Sequence, residues 1–220
     1  MEQQRIVPAR RTRAEIRVSN SRFITTLAPA FSVVDARAFL DEMRAEFQDA
    51  THNVPVYIIG HGAAVTAHCS DDGEPSGTAG RPALAVLQGS GLGDVAVVIT
   101  RYFGGTKLGT GGLVRAYSDS MRAVLEKTPF AVKVPTHTVA FAVPYNLYER
   151  LELLIEEHHG QIQDKQFAGD VTFSVQFPQA RVPTFDHALQ ELTRGEATLE
   201  IMNSAEDTLF PLPPSGDVSA

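Results

Sequence analysis

The chain has a single cysteine, Cys69, in 220 residues. That excludes an internal disulfide and fits a reducing compartment. Long apolar runs are missing: the longest, residues 54–59 and 95–99, are strand-sized and far short of the roughly 20 residues that span a bilayer. The first residues, MEQQRIVPARRTRAEIRV, have basic side chains but no apolar stretch behind them, so they do not read as a secretory signal. Together these absences predict a cytoplasmic protein with no membrane partner. Positive charge is also scarce beyond Thr128, where 5 Lys and Arg face 13 Asp and Glu; before it the numbers are 14 and 13. The net charge of −7 therefore sits almost wholly in the second part. A polyanion is gripped mainly by Lys and Arg, so any nucleic-acid contact is expected from the first part.

What is present is enough to build a core. Hydrophobic residues make up 43% of the chain and charged residues 20%, an ordinary globular composition. Residues 13–31 alternate and are rich in β-formers, with Ser19, Asn20 and Ser21 placed as a turn, which predicts a hairpin. Asp35 is positioned to cap a helix carrying Phe39, Leu40, Met43 and Phe47 at helical spacing. Strands are expected at 54–59 and 65–69, part of a short helix at 83–87, and a strand at 95–100. A glycine-rich link then leads to a helix over 113–127. Beyond Pro129 the pattern is strand 132–143, helix 147–157, strands 162–167 and 171–177, helix 184–193 and strand 197–202. That order, βαββαβ, is the ferredoxin-like arrangement. Gly160 stands where a helix C-cap is expected, and residues 168–170 where a hairpin turns. The division predicted is an N-terminal domain over 1–128, a ferredoxin-like domain over 129–205 and a flexible tail over 206–220.

Two segments could carry chemistry. In the first, DDGEPSGTAGRP, Asp71, Asp72 and Glu74 fall within four residues. They could hold a hard cation, or form a solvated turn in which Ser76 or Thr78 caps the next helix. The second, RYFGGTKLGTGGLVRAY, has five glycines, Gly104, Gly105, Gly109, Gly111 and Gly112, between a strand and a helix, with Arg101, Lys107 and Arg115 adding positive charge. Backbone N–H groups at a helix N-terminus suit an anion. The same glycines would also permit a tight crossover, and both readings stand. Neither a Walker A loop nor a dinucleotide fingerprint fits the spacing. Arg115 and Arg122 share one helix face, each with an acid four residues on (Asp119, Glu126), a pattern of surface ion pairs.

Other candidates are weaker. His61, His68 and Cys69 match no common zinc spacing, and His158 and His159 end a predicted helix, where a cation suits the dipole. Ser76 is not in a nucleophile elbow, and Cys69 has no placed base. No catalytic residue, metal ligand or cofactor site is expected.

The stretches DDGEPSGTAGRP (residues 71–82) and VVITRYFGGTKLGTGGLVRAYS (97–118), with SRF (21–23) and THN (51–53) upstream, resemble the IMPACT/YigZ family, and the chain resembles its bacterial-type members. The resemblance implies an α+β fold: an N-terminal domain like the second domain of ribosomal protein S-five, joined to a ferredoxin-like domain, the pair similar to domains IV and V of elongation factor G. Eukaryotic relatives regulate translation initiation by binding an activator of the amino-acid-starvation kinase, through a protein with an extra N-terminal domain that these residues do not contain. Bacterial members have been suggested to bind nucleic acid or the ribosome. The expectation is a non-enzymatic, translation-associated regulator that binds RNA, the ribosome or a translation factor. The binding residues expected are Asp71, Asp72, Glu74, Ser76, Thr78, Arg81, Arg101, Tyr102, Gly104, Gly105, Lys107, Gly109, Gly111, Gly112 and Arg115. The alternative is a phosphate- or nucleotide-binding enzyme of the same fold superfamily. One departure stands out: after the His-Asn pair this chain has Val54-Pro55-Val56, and a proline is expected on an edge strand, where a missing N–H is tolerated.

Overall fold

The computed structural model describes residues 5–62 and 64–211. They fall into two compact units, divided between Val132 and Lys133 and again between Phe210 and Pro211.

The first unit is built on a five-stranded sheet. β1 (Ile6–Pro8) lies outside it and pairs with residues 130–132, which explains why this unit extends past the expected boundary at 128. β2 (Thr12–Val18) and β3 (Ser21–Pro29) form the predicted hairpin, turned by Ser19 and Asn20 with φ of 45° and 66°. Two consecutive left-handed residues are what a tight two-residue hairpin turn requires. α1 (Val33–Glu46) follows, then β4 (His52–Ile59), β5 (Thr66–Cys69), α2 (Gly80–Gly89), β6 (Val95–Tyr102) and α3 (Gly109–Leu125). The sheet order is β2-β3-β6-β4-β5, antiparallel throughout.

β6 lies at the centre. Val95, Val97 and Ile99 pack among residues of α2 and α3 on one face, while Ala96 and Val98 pack against α1 on the other. Burial on both faces is why this segment reads as an unbroken apolar run rather than an alternating one.

Two expectations for this unit are corrected. The cap of α1 is Ser32, whose hydroxyl accepts from the Asp35 N–H at 3.0 Å; Asp35 stands in the first turn, where its charge suits the dipole. Pro55 is not on an edge, because β4 runs between β6 and β5. Its carbonyl accepts from Ser70 N–H, so its ring nitrogen faces the same side, one position beyond the last residue of β5. The missing donor falls where the neighbouring strand has already ended.

The second unit has β7 (Phe130–Val143), α4 (Tyr148–Glu157), β8 (Gln161–Phe167), β9 (Val171–Pro178), α5 (Val182–Thr193) and β10 (Glu200–Pro211). The order β10-β7-β9-β8 is that of a ferredoxin-like βαββαβ domain. Strict alternation in β9 puts Val171, Phe173, Val175 and Phe177 under the helices. Phe185 of α5 packs against Phe177 and Phe141, with ring centroids 4.4 and 5.4 Å apart. β10 begins later than expected and continues to Pro211, so residues 206–211 are strand rather than tail; the rest of the expected tail, 212–220, lies outside the described residues. The left-handed residue after α4 is His159, φ 58°, not Gly160. Gly160 is required for another reason: a Cβ there would stand 2.4 Å from the Phe177 ring.

Among the described residues no helix is long and apolar enough to cross a membrane.

Candidate functional site

The acidic segment is folded around its own carboxylates. Asp71 accepts from Gly77 N–H with one oxygen (2.7 Å) and from Ala79 and Gly80 N–H with the other (3.0 and 2.8 Å). Ala79 precedes α2 and offers no capping side chain, so Asp71 caps this helix from eight residues upstream. The expectation that Ser76 or Thr78 caps it is therefore corrected. Thr78 is buried and donates to the Pro75 carbonyl at 2.6 Å, and Ser76 is exposed. Burial alone would push the Asp71 carboxyl up, but the three N–H groups and the charge of Arg81 outweigh it and hold it below the usual carboxylate range.

Asp72 and Glu74 turn to other partners. Asp72, at a left-handed φ of 47°, accepts from Asn53 N–H at 2.6 Å, while its carbonyl accepts from His52 Nδ1 at 2.7 Å. Glu74 is 8% exposed. Its Oε1 accepts from Arg101 at 2.6 Å and from the Tyr117 hydroxyl at 2.7 Å, and its Oε2 lies 3.8 Å from His52 Nε2. The three carboxylates thus diverge, each to its own set of donors.

Arg101, at the end of β6, is 5% exposed. Besides Glu74 it donates to the Ser21 hydroxyl at 3.3 Å and lies over the rings of Phe23 and Phe103. Tyr117 of α3 meets Phe23 edge to face, centroids 5.3 Å apart. Burial, and then the hydrogen bond to Glu74, push its hydroxyl far above the usual tyrosine range. It is a fixed donor. Around this centre Asn53 accepts from Thr100 at 2.7 Å, and Thr51 accepts from Phe103 N–H at 3.0 Å. All four matched stretches (SRF, THN, the acidic segment and the glycine segment) meet in this one network.

The glycine segment has two halves. Gly104 donates to Ser21 at 3.2 Å, and a Cβ on it would stand 2.1 Å from the Asn20 carbonyl carbon. Only glycine allows the strand end to sit this close to the β2–β3 turn. Gly105, φ 84°, leads outward. α3 starts at Gly109, four residues earlier than expected, so Gly109, Gly111 and Gly112 form its first turn instead of a loop. Leu108 offers no capping side chain, so the first N–H groups of α3 lack a side-chain cap; exposed Lys107 precedes them, and exposed Arg115 stands about 9 Å further along the helix. Asp119 pairs with Arg122 at 2.6 Å rather than with Arg115. Lys107 and Arg115 make no ion pair among the described residues.

The expected binding residues therefore divide. Asp71, Asp72, Glu74, Thr78, Arg101 and Gly104 are engaged in holding the segments together. Tyr102, half-buried, donates to Asp49 at 2.8 Å. Ser76, Arg81, Gly105, Lys107, Gly109, Gly111 and Arg115 are at the surface or partly so, Gly112 less. Sequence reasoning missed Ser21, His52, Asn53 and Tyr117 as members of the network, although each stands in a matched stretch. It also missed Phe103, 46% exposed beside Lys107's loop.

The Impact N-terminal domain matches residues 19–125, and the domain of unknown function DUF1949 matches 141–196. The chain is 36% identical over 195 residues to the IMPACT family member YigZ of Escherichia coli strain K12, covering 88% of this chain and 96% of that protein. It is 38% identical over 185 residues to an IMPACT family member of Thermus thermophilus, covering 83% and 99%. A crystal structure of a hypothetical protein superposes with a TM-score of 0.59 at 34% identity, covering 92% of this chain and 99% of that one.

Proposed function

Because this chain belongs to the IMPACT family, we propose that it is a non-enzymatic, translation-associated regulator. Its first unit would bind a ribosomal or RNA surface through the outward half of the glycine segment. The observation that carries this reading is the division of the motif residues. The groups with acid–base capacity, His52, Glu74 and Tyr117, face one another within the unit, whereas Lys107, just before the uncapped start of α3, and Arg115, in its second turn, make no ion pair among the described residues. Backbone N–H groups, two cations and the exposed ring of Phe103 are a donor set for a phosphate-bearing partner. The resemblance to eukaryotic relatives that regulate translation initiation supports placing that partner in the translation machinery.

Ribosome co-sedimentation from lysate tests this with Lys107→Ala/Arg115→Ala against wild type. Recovery should fall several-fold for the double variant and should weaken with salt in wild type. Equal recovery at every salt concentration would sink the proposal. Arg101 is unsuitable for this test, because removing it leaves Glu74 buried without its cation.

A further inference from the structure

On the face of the first sheet opposite α2 and α3, a cavity of about 410 Å³ opens between α1 and the β4–β5 ladder. That volume is in the range that holds small ligands. Leu40, Pro55 and Tyr57 form its apolar side; Arg37, Asp41 and Arg44 of α1 stand across from His68. Arg37 and Arg44 are two helical turns apart, about 10 Å along one face of α1. Arg44 pairs with Asp41 at 3.4 Å, whereas the Arg37 side chain has no ion pair or hydrogen bond among the described residues.

Tyr57 supplies an independent observation. Its side chain lines the cavity and is only 6% exposed, yet its hydroxyl has no hydrogen-bond partner among the described residues. The hydroxyl stays reachable by solvent, so a ligand in the cavity can take the place of water on it. The imidazole of exposed His68 stacks on the Tyr57 ring, centroids 5.0 Å apart and planes 26° from parallel. A further planar group can continue that stack. A solvent-reachable hydroxyl, an unpaired guanidinium and a stacking ring line one cavity, with one carboxylate between the two arginines.

We propose that this cavity binds a phosphate monoester carried on a planar ring: a nucleoside monophosphate, free or as the 5′ end of an RNA. Arg37 and the Tyr57 hydroxyl hold the phosphate, His68 stacks the base, and Asp41 accepts from a sugar hydroxyl or a base amine. The site lies on the other face of the sheet from α3 and does not depend on the function proposed above.

Calorimetric titration with AMP, GMP, CMP, UMP, adenosine and inorganic phosphate tests it, alongside a short RNA with a 5′ phosphate and its 5′-hydroxyl twin. At least one phosphorylated probe should bind and adenosine should not. Arg37→Ala and Tyr57→Phe should each weaken that probe about tenfold, the loss of one good hydrogen bond to a charged group. His68→Ala should weaken nucleotides but leave inorganic phosphate unchanged. Lys107→Ala/Arg115→Ala should leave the mononucleotide affinities as in wild type, whatever it does to the RNA probes. Preference for the 5′-phosphorylated RNA over its 5′-hydroxyl twin, lost in Arg37→Ala and with no mononucleotide bound, assigns the site to RNA ends. The proposal is overturned by no binding of any phosphorylated probe, by equal affinity in wild type and both Arg37 and Tyr57 variants, or by loss confined to the Lys107/Arg115 variant. Tyr57→Phe removes only an oxygen and Arg37 is exposed, so unliganded melting temperatures near wild type will show that both variants fold.

Discussion

The two units hold themselves together by different means. The second keeps an apolar interior of Phe141, Phe173, Phe177, Phe185 and Leu189 and leaves its charges outside; its Lys165–Glu152 pair is about a third exposed on each side. The first buries a carboxylate and a guanidinium at its centre, with side chains 3% and 6% exposed. A buried pair gains little over apolar packing but is severely destabilising when one partner is lost. An arrangement kept at that risk joins parts of the chain that apolar contact alone would not fix in one register. Here it ties the loop before α2 to the end of β6 and the middle of α3.

This contrast orders the expected effects of mutation. The largest is Glu74→Ala, which strands Arg101 and should cost about 3–5 kcal/mol in urea unfolding, with hydrogen exchange accelerated in β6 and α3. If its loss is no greater than that of an apolar truncation in the second unit, the contrast between the units fails. That truncation is Leu189→Ala, expected to cost about 3 kcal/mol and to loosen β9 while leaving β6 protected.

Asp71→Asn comes next, with a loss on the order of 1 kcal/mol near neutral pH, as for a helix cap. The wild-type carboxyl is held below its ordinary pKa, so its contribution is complete above that ordinary value of about 3.9 and fades as pH falls toward the lowered one. Unfolding curves of the two proteins should therefore converge in acid. A constant gap down to strong acid would remove Asp71 from its capping role. The smallest effect is Lys165→Met, expected below about 1 kcal/mol and vanishing in high salt.

Much of this architecture was legible in the sequence, and the rest was hidden for physical reasons. β6 and β9 declare themselves because burial on two faces gives an unbroken apolar run and burial on one gives alternation. The α3 start was missed because glycines weaken helical propensity, and here the first turn is composed almost wholly of them. Ser32 lost to Asp35 as the expected cap because both are good capping residues three positions apart. The central network could not be read at all: Glu74, Arg101 and Ser21 meet across separations of 27 and 80 residues, and no local periodicity encodes such a meeting. Matched stretches signalled that these residues matter without showing that they matter to one another. For the same reason the candidate site was only half legible, since the sequence does not tell an inward Arg101 from an outward Arg115.

The middle position of β6 also has a consequence for how the chain reaches this state. β3 pairs Arg22 with Tyr102, and β4 pairs His52 with Arg101, so the strand between them is made after both of its neighbours. Until it arrives, β3 and β4 expose unpaired edges, and only the local pairs β2–β3 and β4–β5 can form early. During synthesis the sheet closes only once residue 102 has left the exit tunnel. The second unit, whose strands are completed later, folds after the first has had time to close.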